Sequence, residues 1–441
     1  MSASEPTEIL TLEDAINRAL VANRGLAEAQ DQLESVRFSL TSAGAEFEVK
    51  VFPGVDTEVN SFQNSFGAGV SLQKKFAIGT QAVLEPRIGK AGGAYTSFVN
   101  TSLTQPLLRG VKREFNLSGV HAAEFADRSA KRSLYLSRVN TVLETAAAVY
   151  EVIRQRELVL LNEESERRLE NHATAARARE KVGLASPIDT YRATIELKQA
   201  QDDLTAAREA LGDALDDLKL ILALPLQEDI RVDAPLAHDF VRTTEDEAVQ
   251  TCLENRVELD QAEDRVEEAE RQSRVARHNT LPDLDLVVDY SRFGIGDTLG
   301  QSTASGVESW GIGLRSRSDA ARTVERAAYG QSLVTTRSAR RGYDLQRDQV
   351  VRQVKRELRN LQRSEQRIRI QDDQREQAEK QLALARVKFQ HGLATNFDLI
   401  DAETALRRAQ VSLLSTRIDY VLGTYRLRGA MGTLLEAQGG S

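Results

Sequence analysis

The 441-residue chain is poor in the residues that build disulfide-bonded, metal-bearing or catalytic domains: one cysteine, one tryptophan, five histidines, eight prolines and 5% aromatics. A lone Cys252 makes no disulfide framework and sits in no metal-ligand spacing. His121, His172, His238, His278 and His391 are scattered, and no HExxH, phosphate loop or nucleophile elbow occurs, so the chain reads as a non-enzyme with no cofactor and no metal. No apolar run approaches the ~20 residues of a membrane-spanning helix. The best, Leu218 to Leu226, is broken by Lys219 and Pro225. Any membrane role must therefore use a β-barrel or the membrane surface. A net charge of -8, with arginines interleaved among carboxylates, disfavours nucleic acid as a partner. Met1-Ser2-Ala3-Ser4-Glu5 has neither the basic nor the apolar segment of a signal peptide, so the reading is either a cytosolic chain or one whose targeting segment has been removed.

What the chain does have is helix-forming sequence at unusual length. Charged residues make up 28%, and Ala, Leu, Glu, Gln and Arg dominate the periodic stretches, the profile of long helices and coiled coils. Val142, Ala146, Val149 and Ile153 step by four, three and four, as do Ala378, Leu382, Ala385 and Phe389. The two patterns predict long helices over about 111–181 and 320–390. At ~1.5 Å per residue each is a rod on the order of 100 Å.

Both rods stop at a glycine. Val182-Gly183-Leu184-Ala185-Ser186-Pro187-Ile188-Asp189 ends the first, and His391-Gly392-Leu393-Ala394-Thr395-Asn396-Phe397-Asp398 ends the second. A Gly stop, then a hydroxyl with Asp three residues on, predicts a helix-hairpin tip at 182–189 and at 391–398. Returning helices follow. Ala193, Leu197, Ala200 and Leu204, and Ala402, Leu406, Ala409 and Leu413, alternate small with large, so paired helices approach closely.

The recurrence makes the chain two related halves. Thr11 with Asp14 predicts the cap of an opening helix running to about Ala45, and its Ala15, Ile16, Leu20 and Leu26 recur as Ala248, Val249, Leu253 and Leu259. The opening helices lie further apart than the tips, so the first half holds extra chain. Between helix and tip the period changes to two. Leu284, Leu286, Val288 and Tyr290, then Trp310, Ile312 and Leu314, alternate with polar residues or glycine and predict two strands. The first half offers two strands over 47–108 plus an added hairpin turning at Ala77-Ile78-Gly79-Thr80, with the surplus at about 66–88. The expected organisation is an N-terminal extension, 1–10; a first repeat, 11–226, whose returning helix reaches 224; a linker, 227–243; a second repeat, 244–436, with strands about 283–317; and a disordered tail, 437–441.

Strands of about ten residues, apolar on one face and polar on the other, are the pattern of a transmembrane β-barrel. So few strands enclose no lumen alone, and closure takes several chains in cyclic symmetry. Here the sequence resembles the outer-membrane efflux protein family, the TolC-like channel-tunnels. The resemblance runs from Leu12 to Leu435 on Ala15-Ile16, Ala19-Leu20 and Leu26; Leu103-Thr104-Gln105-Pro106-Leu107-Leu108-Arg109-Gly110; Asn255-Arg256-Val257-Glu258-Leu259; Leu281-Pro282-Asp283-Leu284; and the two tips.

The resemblance implies a mainly α protein with β: a homotrimer, four or more strands per chain forming one twelve-stranded barrel in the outer membrane of a Gram-negative bacterium, continued by an α-helical barrel in the periplasm. It implies a passive duct of an efflux or type I secretion system, working with a periplasmic adaptor and an inner-membrane transporter of RND, ABC or MFS type, in contact with outer-membrane lipid. Adaptor docking would fall on Gly183, Leu184 and Ala185 and on Gly392, Leu393 and Ala394. Asp398 and Asp401, three apart on one helix, stand where the family places a carboxylate ring at the closed entrance. The family also closes this end with a Tyr and an Arg of the second tip reaching an Asp of the first. Here the Asp is Asp189, but Phe389 replaces the Tyr and Ala394 the Arg, so closure must use other contacts, among them Arg192, His391 or apolar packing. Arg315 and Arg317 depart from the family at the strand-to-helix junction and face the lumen by alternation. The rival reading is a soluble coiled-coil scaffold, which explains the heptads but not the two-faced strands.

Overall fold

The computed structural model describes residues 9–59, 64–183, 186–236 and 240–435. Leu184, Ala185, His238 and the tail read as disordered lie outside the described residues. In chain order the elements are β1 (Ile9–Thr11), α1 (Leu12–Ala22), α2 (Arg24–Gly44), β2 (Val49–Val59), β3 (Asn64–Lys75), β4 (Gln81–Ala91), β5 (Ala94–Pro106), α3 (Arg113–Asn116), α4 (Ser118–Lys181) and α5 (Pro187–Ile221). They continue as β6 (Arg231–Asp233), α6 (Glu245–Asn255), α7 (Val257–Asn279), β7 (Asp285–Gly296), α8 (Leu299–Ala304), β8 (Gly306–Arg315), α9 (Thr323–Gln390) and α10 (Asn396–Met431). Mainly helical with one large sheet, the chain divides into two compact units.

One unit comprises the chain up to Gln30, Ser133–Val257 and Arg347 onward. Its helices start where side chains cap them: Thr11 with Asp14 and Thr244 with Glu247 both close capping boxes. The helix expected from Thr11 to about Ala45 is broken at Asn23. There Oδ1 accepts from the Leu26 amide at 3.1 Å, and Nδ2 donates to the Ile221 carbonyl at 3.0 Å. Arg256 makes the matching break between α6 and α7, donating to the Gly429 and Ala430 carbonyls at 3.1 Å each. These two side chains bind carbonyls that helix ends leave without partners, which fixes where each opening helix bends. The core joins Ala15, Ala19, Val149, Ile153, Leu218, Leu222 and Ile418. Its edge is a short parallel ladder of β1 on β6, which pairs Ile9 and Leu10 of the expected extension, and Thr11 at the start of the first repeat, with Arg231–Asp233 of the expected linker.

The other unit, Asp31–Arg132 with Glu258–Gln346, carries a six-stranded antiparallel sheet in the order β2-β3-β4-β5-β7-β8. The strand register builds two different faces. Val51, Leu72, Leu84, Thr101, Tyr290 and Trp310 form one row across all six strands. The adjacent row, on the other face, is Lys50, Gln73, Val83, Ser102, Asp289 and Gly311. Alternation therefore yields an apolar and a polar surface, as the period-two pattern requires.

The first-half surplus is two full strands, β3 and β4. Their turn closes with Phe76 N donating to Thr80 O and Gly79 N donating to Phe76 O, both 2.8 Å. Gly79 has φ +89°, and a Cβ there would collide with Gly110 O, Asn116 and Pro106, so this glycine is required both for its backbone angle and for space. The long helix expected from 111 starts properly at Ser118, after the short α3. Arg315 lies on the polar face, paired in register with Asp285.

Candidate functional site

The two predicted tips exist as helix-turn-helix stops in the first unit. At the second, Gly392 takes φ +70°, Gly392 N donates to Phe389 O at 3.2 Å and Leu393 N to Lys388 O at 2.8 Å. That pair of reverse bonds satisfies the carbonyls α9 leaves at its end. Thr395 then caps α10: its Oγ1 accepts from Asp398 N at 3.3 Å while the Asp398 carboxylate accepts from Thr395 N and Oγ1 at 2.7 Å each. These bonds hold the Asp398 carboxyl below its ordinary pKa, the hydroxyl contributing most. At the first tip Gly183 takes φ +74°, Gly183 N donates to Glu180 O at 2.9 Å, and Ser186 caps α5 by accepting from Ile188 N at 3.4 Å. Both glycines have open space around a built Cβ, so only backbone angle demands them.

Each hairpin closes on its own seam of small and large residues. Leu169, Ala173 and Ala176 pack on Ala193, Leu197 and Ala200 in the first. Ala378, Leu382 and Ala385 pack on Leu399, Ala402 and Leu406 in the second. The hairpins are then tied together at three levels. Farthest from the turns, Arg407 bridges to Asp203 at 2.8 Å. Nearer, Ile400 packs on the first seam. Closest, the buried Asn396 donates from Nδ2 to the Asp189 carbonyl at 3.0 Å.

Phe389 lies half-buried between these hairpins. Its ring meets His172 edge-on with centroids 5.4 Å apart, and the Arg179 guanidinium carbon sits 4.2 Å from its centroid. His172 is buried, and burial pushes its pKa down, against the opposing pull of the nearby Asn396 side chain and the Glu403 charge. Glu403 is buried as well and pairs with Arg386 at 3.5 Å. Phe389 thus packs against residues of its own chain.

Of the sequence-predicted residues, the structure brings Asp189, Phe389 and Asp398 to the turns. The Asp398 carboxylate is engaged in its cap, whereas Asp401, one turn on, is exposed. Ala394 is half-buried, Leu393 is 78% exposed, and Leu184 and Ala185 lie outside the described residues. Arg192 is exposed, and His391 Nδ1 lies 2.8 Å from Val387 O of its own helix. Sequence reading missed His172, Arg179 and Asn396, because their roles depend on helices distant in sequence. It also missed Ile188, Tyr191 and Ile195, exposed along one face of α5, and Leu384, Val387 and Phe397 on the second hairpin. Their i, i+3, i+7 spacing on a helix that already has a buried face was the available signal.

The fold is that of outer-membrane channels. Solved structures similar to this chain include VceC of Vibrio cholerae, with 17% identity, 96% of each chain covered and a TM-score of 0.74. The CmeC outer membrane channel of Campylobacter jejuni matches with 13% identity, 100% of this chain and 92% of that chain covered, and a TM-score of 0.75. The open state of the MtrE outer membrane channel of Neisseria gonorrhoeae matches with 16% identity, 96% and 89% coverage, and a TM-score of 0.70. No curated protein matches by sequence. Residues 248–433 match the family described as outer membrane efflux protein. The match falls in the second half of the chain, the half that carries the second tip.

Proposed function

We propose that the protein is a passive outer-membrane exit duct of a tripartite efflux or type I secretion system of a Gram-negative bacterium. The observation that carries this reading is the open sheet with one apolar and one polar face, in a chain whose second half matches the efflux family. Strands of ten to thirteen residues have the length that spans a bilayer at the usual tilt. The apolar face meets outer-membrane lipid and the polar face lines water, and identical copies, three in a homotrimer, close the wall. The two repeats then supply equivalent helical hairpins that extend into the periplasm.

In this reading the tips form the periplasmic entrance. Asp401 and, more weakly, Asp398 line it, and their repetition around a three-fold axis focuses negative potential and favours cations. Asp189 and Phe389 belong to its closing contacts, with the His172, Arg179 and Asn396 cluster taking the place of the Tyr and Arg latch. Gly183 to Ala185 and Gly392 to Ala394 dock a periplasmic adaptor, and the exposed Ile188, Tyr191, Leu393 and Phe397 supply its apolar contacts. Energy comes from an inner-membrane transporter of RND, ABC or MFS type.

Reconstitution in planar bilayers tests this. Discrete conductance steps from the purified, detergent-solubilised chain are expected. A chain that stays monodisperse without detergent and never conducts would instead be the coiled-coil scaffold.

A further inference from the structure

The geometry points to a barrel wall of six strands per copy, sealed by pairing β8 of one chain with β2 of a second copy of the same chain. Resting on the homotrimer proposed above, this makes an eighteen-stranded barrel, because twelve strands would take only two such chains.

Three observations place the added hairpin in the wall rather than outside it. First, β3 and β4 carry the two faces in phase with their neighbours: Val70 and Leu72 align with Pro53 and Val51, while Ser71 reaches Glu85 of β4 on the other face at 3.1 Å. Second, the ladders are full length, with β2 on β3 paired from Val49↔Lys74 to Val59↔Asn64 and β4 on β5 from Gln81↔Thr104 to Ala91↔Ala94. Third, the β3–β4 turn is locked where strands become helices. Thr80 hydrogen-bonds Gln105, Lys75 Nζ reaches Glu46 at 2.5 Å, and Gly79 fits against Gly110 and Pro106. A hairpin lying beside the wall would have none of this register.

The occupant of the open edges follows from the same sheet. β2 is exposed at all eleven residues and β8 at nine of its ten, whereas the strands between them are mostly half-buried. Both edges are long and apolar on the same face, with Val49, Val51 and Val55 at one and Trp310, Ile312 and Leu314 at the other. Proteins do not leave such edges unpaired. Six is an even number of alternating strands, so β2 leaves the helices and β8 returns to them. Joining β8 to β2 of the next copy is therefore antiparallel for any number of copies, and within the six-stranded sheet these two are the strands with an open edge. Barrel diameter grows about linearly with strand number, so the exit is roughly 1.5-fold wider than a twelve-stranded one and falls among barrels that hold an open aqueous channel.

Two measurements on the full chain test this. In proteoliposomes of brominated phosphatidylcholine, fluorescence of Trp310, the sole tryptophan, reports β8. In a Trp310→Phe background, Val70→Trp and Ile88→Trp should be quenched as strongly as Trp310, several-fold more than Val83→Trp on the opposite face. Separately, cysteines set one at a time at Val51 or Val55 and paired with one at Trp310 or Ile312, in a Cys252→Ala background, should yield an oxidised species of three chains on a denaturing gel. Quenching of Trp310 without Val70→Trp or Ile88→Trp puts the hairpin outside the wall, and cross-linking that stops at two chains makes the barrel twelve-stranded. Either result overturns the inference while leaving the duct intact. Loss of Trp310 quenching itself, together with absent conductance, would instead remove the duct.

Discussion

The two tips come from recurring sequence yet use their acids differently. At the second, the Asp398 carboxylate accepts from both the amide and the hydroxyl of Thr395, completing a capping box. At the first, Pro187 occupies the opening position of α5, Ser186 makes a single 3.4 Å cap bond, and Asp189 N donates to Ser186 O at 2.9 Å. Proline pre-sets the helical angle, so the first tip restarts its helix by backbone geometry and leaves the Asp189 carboxylate out of the cap. The second restarts by side-chain bonding and also carries Phe389, the ring that ties the hairpins together. A repeated motif therefore fixes the turn, while the capping box that engages the acid forms at the second tip, where Asn396 stands in the position Pro187 takes at the first.

Removing the tie should have the largest effect. Phe389→Ala empties the space between Arg179 and His172, and for a half-buried ring this costs about 2 kcal/mol, below the range for fully buried phenylalanine. Amide exchange across 378–406 should speed up accordingly, whereas Ile188→Ala, at an exposed site on the first tip, should leave exchange of α5 unchanged. Equal responses would make the tips equivalent. Next, Thr395→Ala should cost about 1 kcal/mol of local stability as a lost cap. Ser186→Ala should cost less than half of that, because its bond is long and Pro187 remains.

Acid should separate the tips further. His172 has its pKa lowered below 6.5 by burial, so the folded state binds fewer protons than the unfolded one. Its contribution is complete above 6.5 and is lost as pH falls from there through the lower folded value. Asp398, held below 3.8, contributes above that pH and loses its contribution only as pH falls through its own folded value. Between pH 7.5 and 5 the clamp around His172 should therefore loosen while the Thr395 cap holds, and His172→Phe should abolish the change in exchange over 169–176. The smallest expected effect concerns the acids themselves. Asp401→Asn should lower cation preference in bilayers, read as a reversal potential under a salt gradient, more than Asp398→Asn does, because Asp398 is already engaged by Thr395.

Much of this fold was legible because its signals are periodic. Helix pairs, tips and two-faced strands each follow from spacing alone, and even the surplus hairpin showed as extra chain with a turn at Gly79. The count of six strands was not legible in advance. Val59, Ala68 and Gln81 mark separate alternating runs, but nothing local says whether a run joins the wall or loops from it. The breaks at Asn23 and Arg256 escaped for another reason: each is set by carbonyls of distant helices, Ile221 for one and Gly429 with Ala430 for the other. The site divides the same way. Glycines announce turns, whereas the His172, Phe389 and Asn396 cluster exists only once four helices meet.

Direct imaging of the full chain in lipid nanodiscs, viewed along its pseudo-symmetry axis, bears most squarely on the account. Rings of identical copies around an open centre, with β8 beside β2 at every seam, are the expected particles. Single chains with free sheet edges and no central opening would contradict it.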